Sequence, residues 1–296
     1  MSLVIRPRFA PLVLVSLIWS SAAPLSSQER PLPDQQAFMA EARKRLQPDE
    51  MRQSGYVYKE TRRELKLDAS GKTTKEEISV FESYPALPNE FRWKRLIQKD
   101  GVPVSQAELD KQDRERQKKV MAYVKKREQN PEKAAAEQAK KGADERREVE
   151  QGINDALLVY DFRMLGREAL GGHDTIVFSF TPKKNARPRT RDGKIMQKFA
   201  GKAWVSESEY ELVRLEAEAQ ETVSFGLGLL ARVHKGSKAS FERRKVNGEE
   251  WLPASASYTA SARVMLVRRL RVGGTMEFSD YRKFGVATET TVKTPK

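Results

Sequence analysis

The chain of 296 residues contains no cysteine and only two histidines, His173 and His234. Without cysteine there is no disulfide, no thiol nucleophile and no attachment point for the N-terminal lipid that bacterial lipoproteins carry on a cysteine. His173 stands beside a turn and His234 in a basic segment, so no histidine cluster is available to hold zinc. Long apolar runs are missing as well. Pro11–Trp19, the strongest candidate, is about half the roughly 20 residues a spanning helix needs. No G-x-S-x-G elbow or H-E-x-x-H helix occurs. Gly226-Leu-Gly-Leu-Leu-Ala231 matches G-x-G-x-x-A, but Lys235 and Gly236 cut off any following helix and no βαβ unit surrounds it. The apolar run 225–230 reads instead as a mobile loop or short helix at a sheet edge. Acidic pairs such as Glu207 and Glu209 are plentiful, yet sequence alone cannot set two carboxylates across a substrate. No catalytic residue, cofactor or metal is assigned, and an enzyme is not expected.

What is present begins with an export layout. Arg6 and Arg8 precede the apolar run, and Ser20-Ser-Ala-Ala23 follows it. Basic, apolar, then small is the order of a secretory signal peptide, here residues 1–23. Cleavage after Ala22 or Ala23 is expected, with Pro24 disfavouring the second. A membrane anchor is the alternative. The expectation is an exported, soluble, non-lipidated, periplasmic protein. Its parts are a linker over 24–33, one domain over 34–288 and a tail over 289–296. Roughly 270 residues then remain, enough for one large β domain with a real core.

Period-2 alternation dominates this domain. In Gly201–Glu218 a short strand ends in Trp204-Val205, a polar turn follows, and the chain returns with Val213, Leu215, Ala217 and Ala219 on one face. Leu212, Arg214, Glu216 and Glu218 fall on the other. Further strands are expected at 56–67 and 74–84, joined by Asp68-Ala-Ser-Gly71, and at 91–99, closed by Asp100-Gly101. Leu157–Glu168 and Thr175–Thr181 flank Gly171-Gly172, and Ile176, Phe178 and Phe180 share the inward face of the second. Ser240–Val246 turns at Asn247-Gly248 into Trp251–Val264. That return strand sets Ala254, Ala256, Tyr258, Ala260, Ala262 and Val264 on one face. The four alanines leave room for either a closely packed helix or a cavity. Gly274–Phe284 follows, with Met276 and Phe278 inward. One helix is expected over Asp34–Leu46, with Asp34 as N-cap and Phe38, Ala42 and Leu46 on one face. Pro48 ends it.

Two segments break the pattern. Ser105-Gln-Ala-Glu108 has the form of a capping box. From there to about Asp155 the chain holds 13 basic and 12 acidic residues and reads as an exposed helical excursion, interrupted at Asn130-Pro131 and at Gly142. It is either a solvated face or a partner-binding arm. Lys183–Lys202 carries eight Lys or Arg against Asp192 alone, and reads as a loop that is either solvated or a docking surface for anions. The net charge of the whole chain is +14. Export makes nucleic acid an unexpected partner, and anionic lipid head groups or an acidic envelope partner fit better, with Arg187, Arg189 and Arg191 as the contacts.

The order of these parts resembles the periplasmic lipoprotein-sorting (Lol-type) carrier and receptor superfamily. The resemblance lies in Tyr56-Val-Tyr58, Leu96-Ile-Gln-Lys-Asp-Gly101, the run from Gly172 to Pro182, Gly201-Lys-Ala-Trp-Val205 with Tyr210-Glu-Leu-Val213, and Trp251-Leu-Pro253. It implies a mainly β (α+β) fold, a curved antiparallel sheet forming an unclosed β-barrel with helices over its mouth. It further implies an apolar interior that holds acyl chains of lipid or lipoprotein, with related members acting as envelope-stress sensors. Ile176, Phe178, Phe180, Trp204, Val213, Leu215, Tyr258, Met276 and Phe278 are the residues expected to line that interior. The charged excursion departs from the carriers in length, and the lack of cysteine excludes the lipid-anchored receptor type. A sensor or scaffold that binds a protein is the second reading, and a secreted carboxylate-dependent hydrolase the third.

Overall fold

The structure is a computed structural model describing residues 30–85, 92–225, 231–264 and 268–284. The signal segment, nearly all of the linker, the run 226–230, Phe91 and the tail lie outside the described residues. The chain divides into Met1–Leu32 and Pro33–Lys296, and the second unit holds the sheet and the helices.

Its frame is one antiparallel sheet. Strand β1 (Tyr56–Leu67) turns into β2 (Thr73–Tyr84), followed by β3 (Trp93–Lys99) and the short β4 (Val102–Pro103). Asp68 builds the first turn by accepting from the amides of Ser70 and Lys72 at 2.8 and 3.0 Å. A second meander runs through β5 (Tyr160–Leu170), β6 (His173–Pro182), β7 (Phe199–Ser206) and β8 (Leu212–Ala219). It continues through the short pair β9 (Val223–Phe225) and β10 (Ala231–Val233), then β11 (Lys238–Val246), β12 (Glu250–Val264) and β13 (Arg268–Lys283). Strand β13 returns to pair with β1, giving the order β4-β3-β2-β1-β13-β12-β11-β8-β7-β6-β5. The two ends of that row are not paired with each other, so this is an unclosed β-barrel.

Cross-strand registers define the concave face. Phe178 lies opposite Ala203, Ala203 opposite Leu215, and Leu215 opposite Phe241. The row continues through Ala256, Met276 and Arg62. Side chains two residues along a strand share a face, so Phe180, Phe278 and Glu60 point the same way. Around β1 and β13 this concavity is filled. Tyr56, Tyr58, Val246, Leu252 and Tyr281 form a buried cluster against which Phe278 packs. Glu60, fully buried, is paired there with Arg62 and Lys94.

Helices supply the covers. α1 (Gln35–Arg45) is capped by Asp34 Oδ1, which accepts from Ala37 N at 2.8 Å. It lays Phe38 on Phe178 and on Tyr210, with ring centroids 5.7 and 5.1 Å apart. α2 (Asp49–Arg52) is a single turn that closes one end of the sheet through buried ions. Arg52 reaches Glu211 at 2.7 Å and Glu250 at 2.9 Å, while Asp49 meets Arg243 at 2.9 Å. The charged excursion forms α3 (Gln106–Gln129) and α4 (Pro131–Val159), and α5 (Arg191–Met196) lies between β6 and β7.

The excursion departs from expectation in two ways. Asn130-Pro131 does divide it, but α4 runs unbroken through Gly142, because one glycine costs an exposed helix only about 1 kcal/mol against strong neighbours. The helix also continues past Asp155 to Val159, so β5 begins at Tyr160 rather than Leu157. No helix among the described residues is long and apolar enough to cross a membrane.

Candidate functional site

Where β1 and β13 fill the concave face, β5–β8 leave it empty. A cavity of about 400 Å³ lies between these four strands and the helices. The sheet contributes Phe162, Phe178, Phe180, Ala203 and Val205, followed by Leu212, Leu215 and Ala217 from β8. Met39 and Ala42 descend from α1 and Leu46 from just past its end, Ala156 and Leu157 from the last turn of α4, and Ile195 and Met196 from α5. Arg43 is the charged member of the lining; its Nη2 donates to Asn154 Oδ1 at 2.7 Å.

Small residues create the space. Ala203 and Ala217 stand where larger side chains would fill the floor. Gly201 lets Phe180 lie flat across β7: a Cβ there would come within 2.8 Å of the Phe180 ring and 1.8 Å of the Glu216 carbonyl. Tyr160 closes the α5 side by donating its hydroxyl to Met196 O at 2.7 Å, and burial pushes its pKa up to about 12. It is therefore a neutral donor at any ordinary pH.

The segment between β6 and β7 is tied to α4. Asp155 of α4, 2 % exposed, accepts from Arg189 N at 3.0 Å, Thr190 N at 2.7 Å and Thr190 Oγ1 at 2.6 Å. Thr190 Oγ1 in turn caps α5 by accepting from Gly193 N at 2.9 Å. Gly193 is required here, since a Cβ would lie 2.4 Å from Asp155 Oδ2. The basic run is thus not a plain loop. Its inner side, with Ala186, Ile195 and Met196, packs on the cavity wall, and Arg187, Arg189 and Arg191 remain exposed outside.

Of the residues expected to line the interior, Phe178, Phe180 and Leu215 border the cavity. Ile176 is fully buried beside them, in a cluster with Phe38 and Val205. Trp204 is on the opposite face: its Nε1 donates to Glu168 Oε2 at 2.8 Å and Arg214 lies over its ring. Val213 is buried but displaced by a bulge. Trp204 pairs with Arg214 and Val205 with Leu212, leaving Val213 as the extra residue. That one insertion turns Leu212 inward. Met276, Phe278 and Tyr258 are on the concave face yet away from the cavity. Phe278 joins the aromatic cluster, and Tyr258, 36 % exposed, covers Gly274, where a Cβ would lie 2.7 Å from its ring. Ala254, Ala256 and Ala260 of β12 do not border the cavity either.

The residues that the strand pattern missed came from helices and from the bulge. Leu157 sits on α4 instead of a strand, and Leu212 faces inward because of Val213. Ile195-Met196 is an apolar pair inside the basic run, a signal outweighed by charge. Polar residues at the turn between β7 and β8 are tied to β11 and β12. Glu209 accepts from Lys245 Nζ at 2.8 Å and Trp251 Nε1 at 3.0 Å, and His173 packs on the Trp251 ring. Tyr210, at φ 61°, adopts a backbone conformation costly for a bulky residue, held by its ring against Phe38. Among the described residues no group of three His, Cys, Asp or Glu side chains could hold a metal ion.

No protein-family model matches the chain, and no curated protein matches it. Solved structures share its course at a distance. A domain of outer membrane lipoprotein-sorting type from Vibrio parahaemolyticus is 9% identical over 86% of this chain and 93% of its own, with a TM-score of 0.33. A LolA superfamily protein from Nitrosomonas europaea is 10% identical over 85% and 94%, with a TM-score of 0.27. A DUF1329 family protein from Desulfovibrio piger ATCC 29098 is 12% identical over 84% and 92%, with a TM-score of 0.28. At these distances the likeness carries no weight for what the cavity holds.

Proposed function

We propose that the protein is an exported, periplasmic binding protein that holds an acyl chain of a lipid or lipoprotein, non-covalently, in the cavity over β5–β8. The observation that supports this reading is the cavity itself: apolar side chains from four strands and three helices surround about 400 Å³ and leave it unfilled. A water molecule's share of liquid volume is about 30 Å³, and a methylene is of similar size, so the space suits a chain of roughly a dozen carbons. Burial stabilises such a chain by roughly 0.8 kcal/mol per methylene, before the entropy of association is subtracted. No reacting group is needed for that work, and the reading assigns none.

Native mass spectrometry of the protein purified from the envelope fraction tests it. The expected result is a population carrying a lipid-sized adduct, and delipidated protein that takes up a fluorescent fatty acid with a one-to-one stoichiometry. Protein that is free of adducts and inert toward the fatty acid would end this reading. The same spectrum reports the mass of the mature chain, expected to lack the signal segment.

A further inference from the structure

We infer that the outer side of the segment between β6 and β7 is a docking surface for an anionic lipid bilayer. Lys184, Arg187, Arg189, Arg191 and Lys194 are exposed along it and form no ion pair among the described residues, whereas Lys183 and Lys198 at its ends are paired with Asp161 and Glu221. Asp192 is the acid in the same span. The cations are displayed from a fixed scaffold. Asp155 binds the two backbone amides at Arg189 and Thr190, and Thr190 caps α5. Like charges are therefore concentrated on one short segment whose backbone is held in place, and an anionic partner relieves the repulsion between them.

A bilayer rather than an acidic protein is the partner that both sides of the segment fit. Phosphate head groups suit the guanidinium and ammonium groups outside. Ile195 and Met196 on the inner side border the apolar cavity. Docking would bring that cavity within about 10 Å of the head groups, the thickness of one helix. This choice of partner rests on the acyl-chain reading of the cavity. The binding itself follows from the charge and holds whatever the cavity contains.

Co-sedimentation of the mature protein with vesicles of equal parts phosphatidylglycerol and phosphatidylcholine tests the surface, with pure phosphatidylcholine as reference. Binding is expected to the anionic vesicles alone, and it should weaken as salt rises. Each Lys or Arg near an anionic surface strengthens binding roughly fivefold, so losing three cations in Arg187→Glu, Arg189→Glu and Arg191→Glu should weaken it by at least about a hundredfold, and the three added carboxylates weaken it further. Lys118→Glu, Lys119→Glu and Lys125→Glu on exposed positions of α3 make the same change in net charge elsewhere, and should leave most binding intact. Equal losses in the two triple variants, or none in the first, would overturn the proposal. So would binding to polyglutamate with no binding to the vesicles, which would point to an acidic protein. Fatty-acid uptake measured on the same samples separates the two readings: a parent protein that takes up the fatty acid but does not bind the anionic vesicles removes the docking surface and leaves the cavity.

Discussion

At the scale of single residues, Asp155 illustrates how a buried carboxylate can organise a cover without any chemistry of its own. Burial pushes its pKa up, but the hydrogen bonds from Thr190 Oγ1 and from the amides of Arg189 and Thr190 pull it the other way and prevail, leaving it below the ordinary 3.8. A folded-state value below the unfolded one stabilises the fold fully above the unfolded value, and that stability is lost as pH falls through the folded one. Asp155→Asn removes the charge and turns an amide donor toward amide donors. We expect it to cost roughly 1–3 kcal/mol at neutral pH, with parent and variant converging below about pH 4. Urea unfolding at several pH values reads this directly. A gap that stays constant into the acid range would show that the carboxylate's charge is not what holds the segment.

At the scale of elements, the open edges of the sheet are each managed by a glutamine. Gln35 of α1 donates to Phe162 O and accepts from Met164 N, both at 2.9 Å, so its amide imitates a neighbouring strand on the edge of β5. On the other side Gln112 of α3 accepts from Leu96 N at 3.0 Å and donates to Leu96 O at 3.2 Å. Unpaired edges invite pairing with other chains, and here helices block them. Gln35→Ala and Gln112→Ala should each destabilise by about 1 kcal/mol, speed amide exchange at Met164 and Leu96 respectively, and raise the tendency to associate. Hydrogen exchange and light scattering check both parts; unchanged exchange at those two amides would remove the edge-capping role. Neither glutamine could be recognised from the sequence, since nothing in local spacing tells which edge a helix will meet. The strands were legible because alternation and turn residues such as Asn247-Gly248 act locally, and so was the N-cap at Asp34. Legibility failed where one residue changes parity, as at Val213, or where charge hides an apolar contact, as at Ile195 and Met196.

At the scale of the molecule, the concave face is filled on one side and open on the other, and the two halves make different demands. Tyr58, Phe278 and Tyr281 gain stability by contact, with Tyr281 also donating to Pro253 O at 2.9 Å. The β5–β8 side forgoes such contact by keeping Ala203 and Ala217 small above a floor that could carry more. Space maintained at the expense of stability is what a binding role requires, since proteins can usually be made more stable where function does not forbid it. Ala217→Leu separates a working cavity from a tightly packed core. With a cavity, the added carbons find room, and the ligand-free protein should gain roughly 1–2 kcal/mol. The rise in stability that a bound fatty acid gives the parent, about 2.7 kcal/mol at a hundredfold excess over Kd, should then shrink or vanish. In a packed core the same change would instead cost about 1–3 kcal/mol through overpacking. Thermal unfolding of parent and variant, each with and without fatty acid, distinguishes these outcomes, and a destabilised variant that still responds fully to the ligand would place the acyl chain somewhere other than over β8.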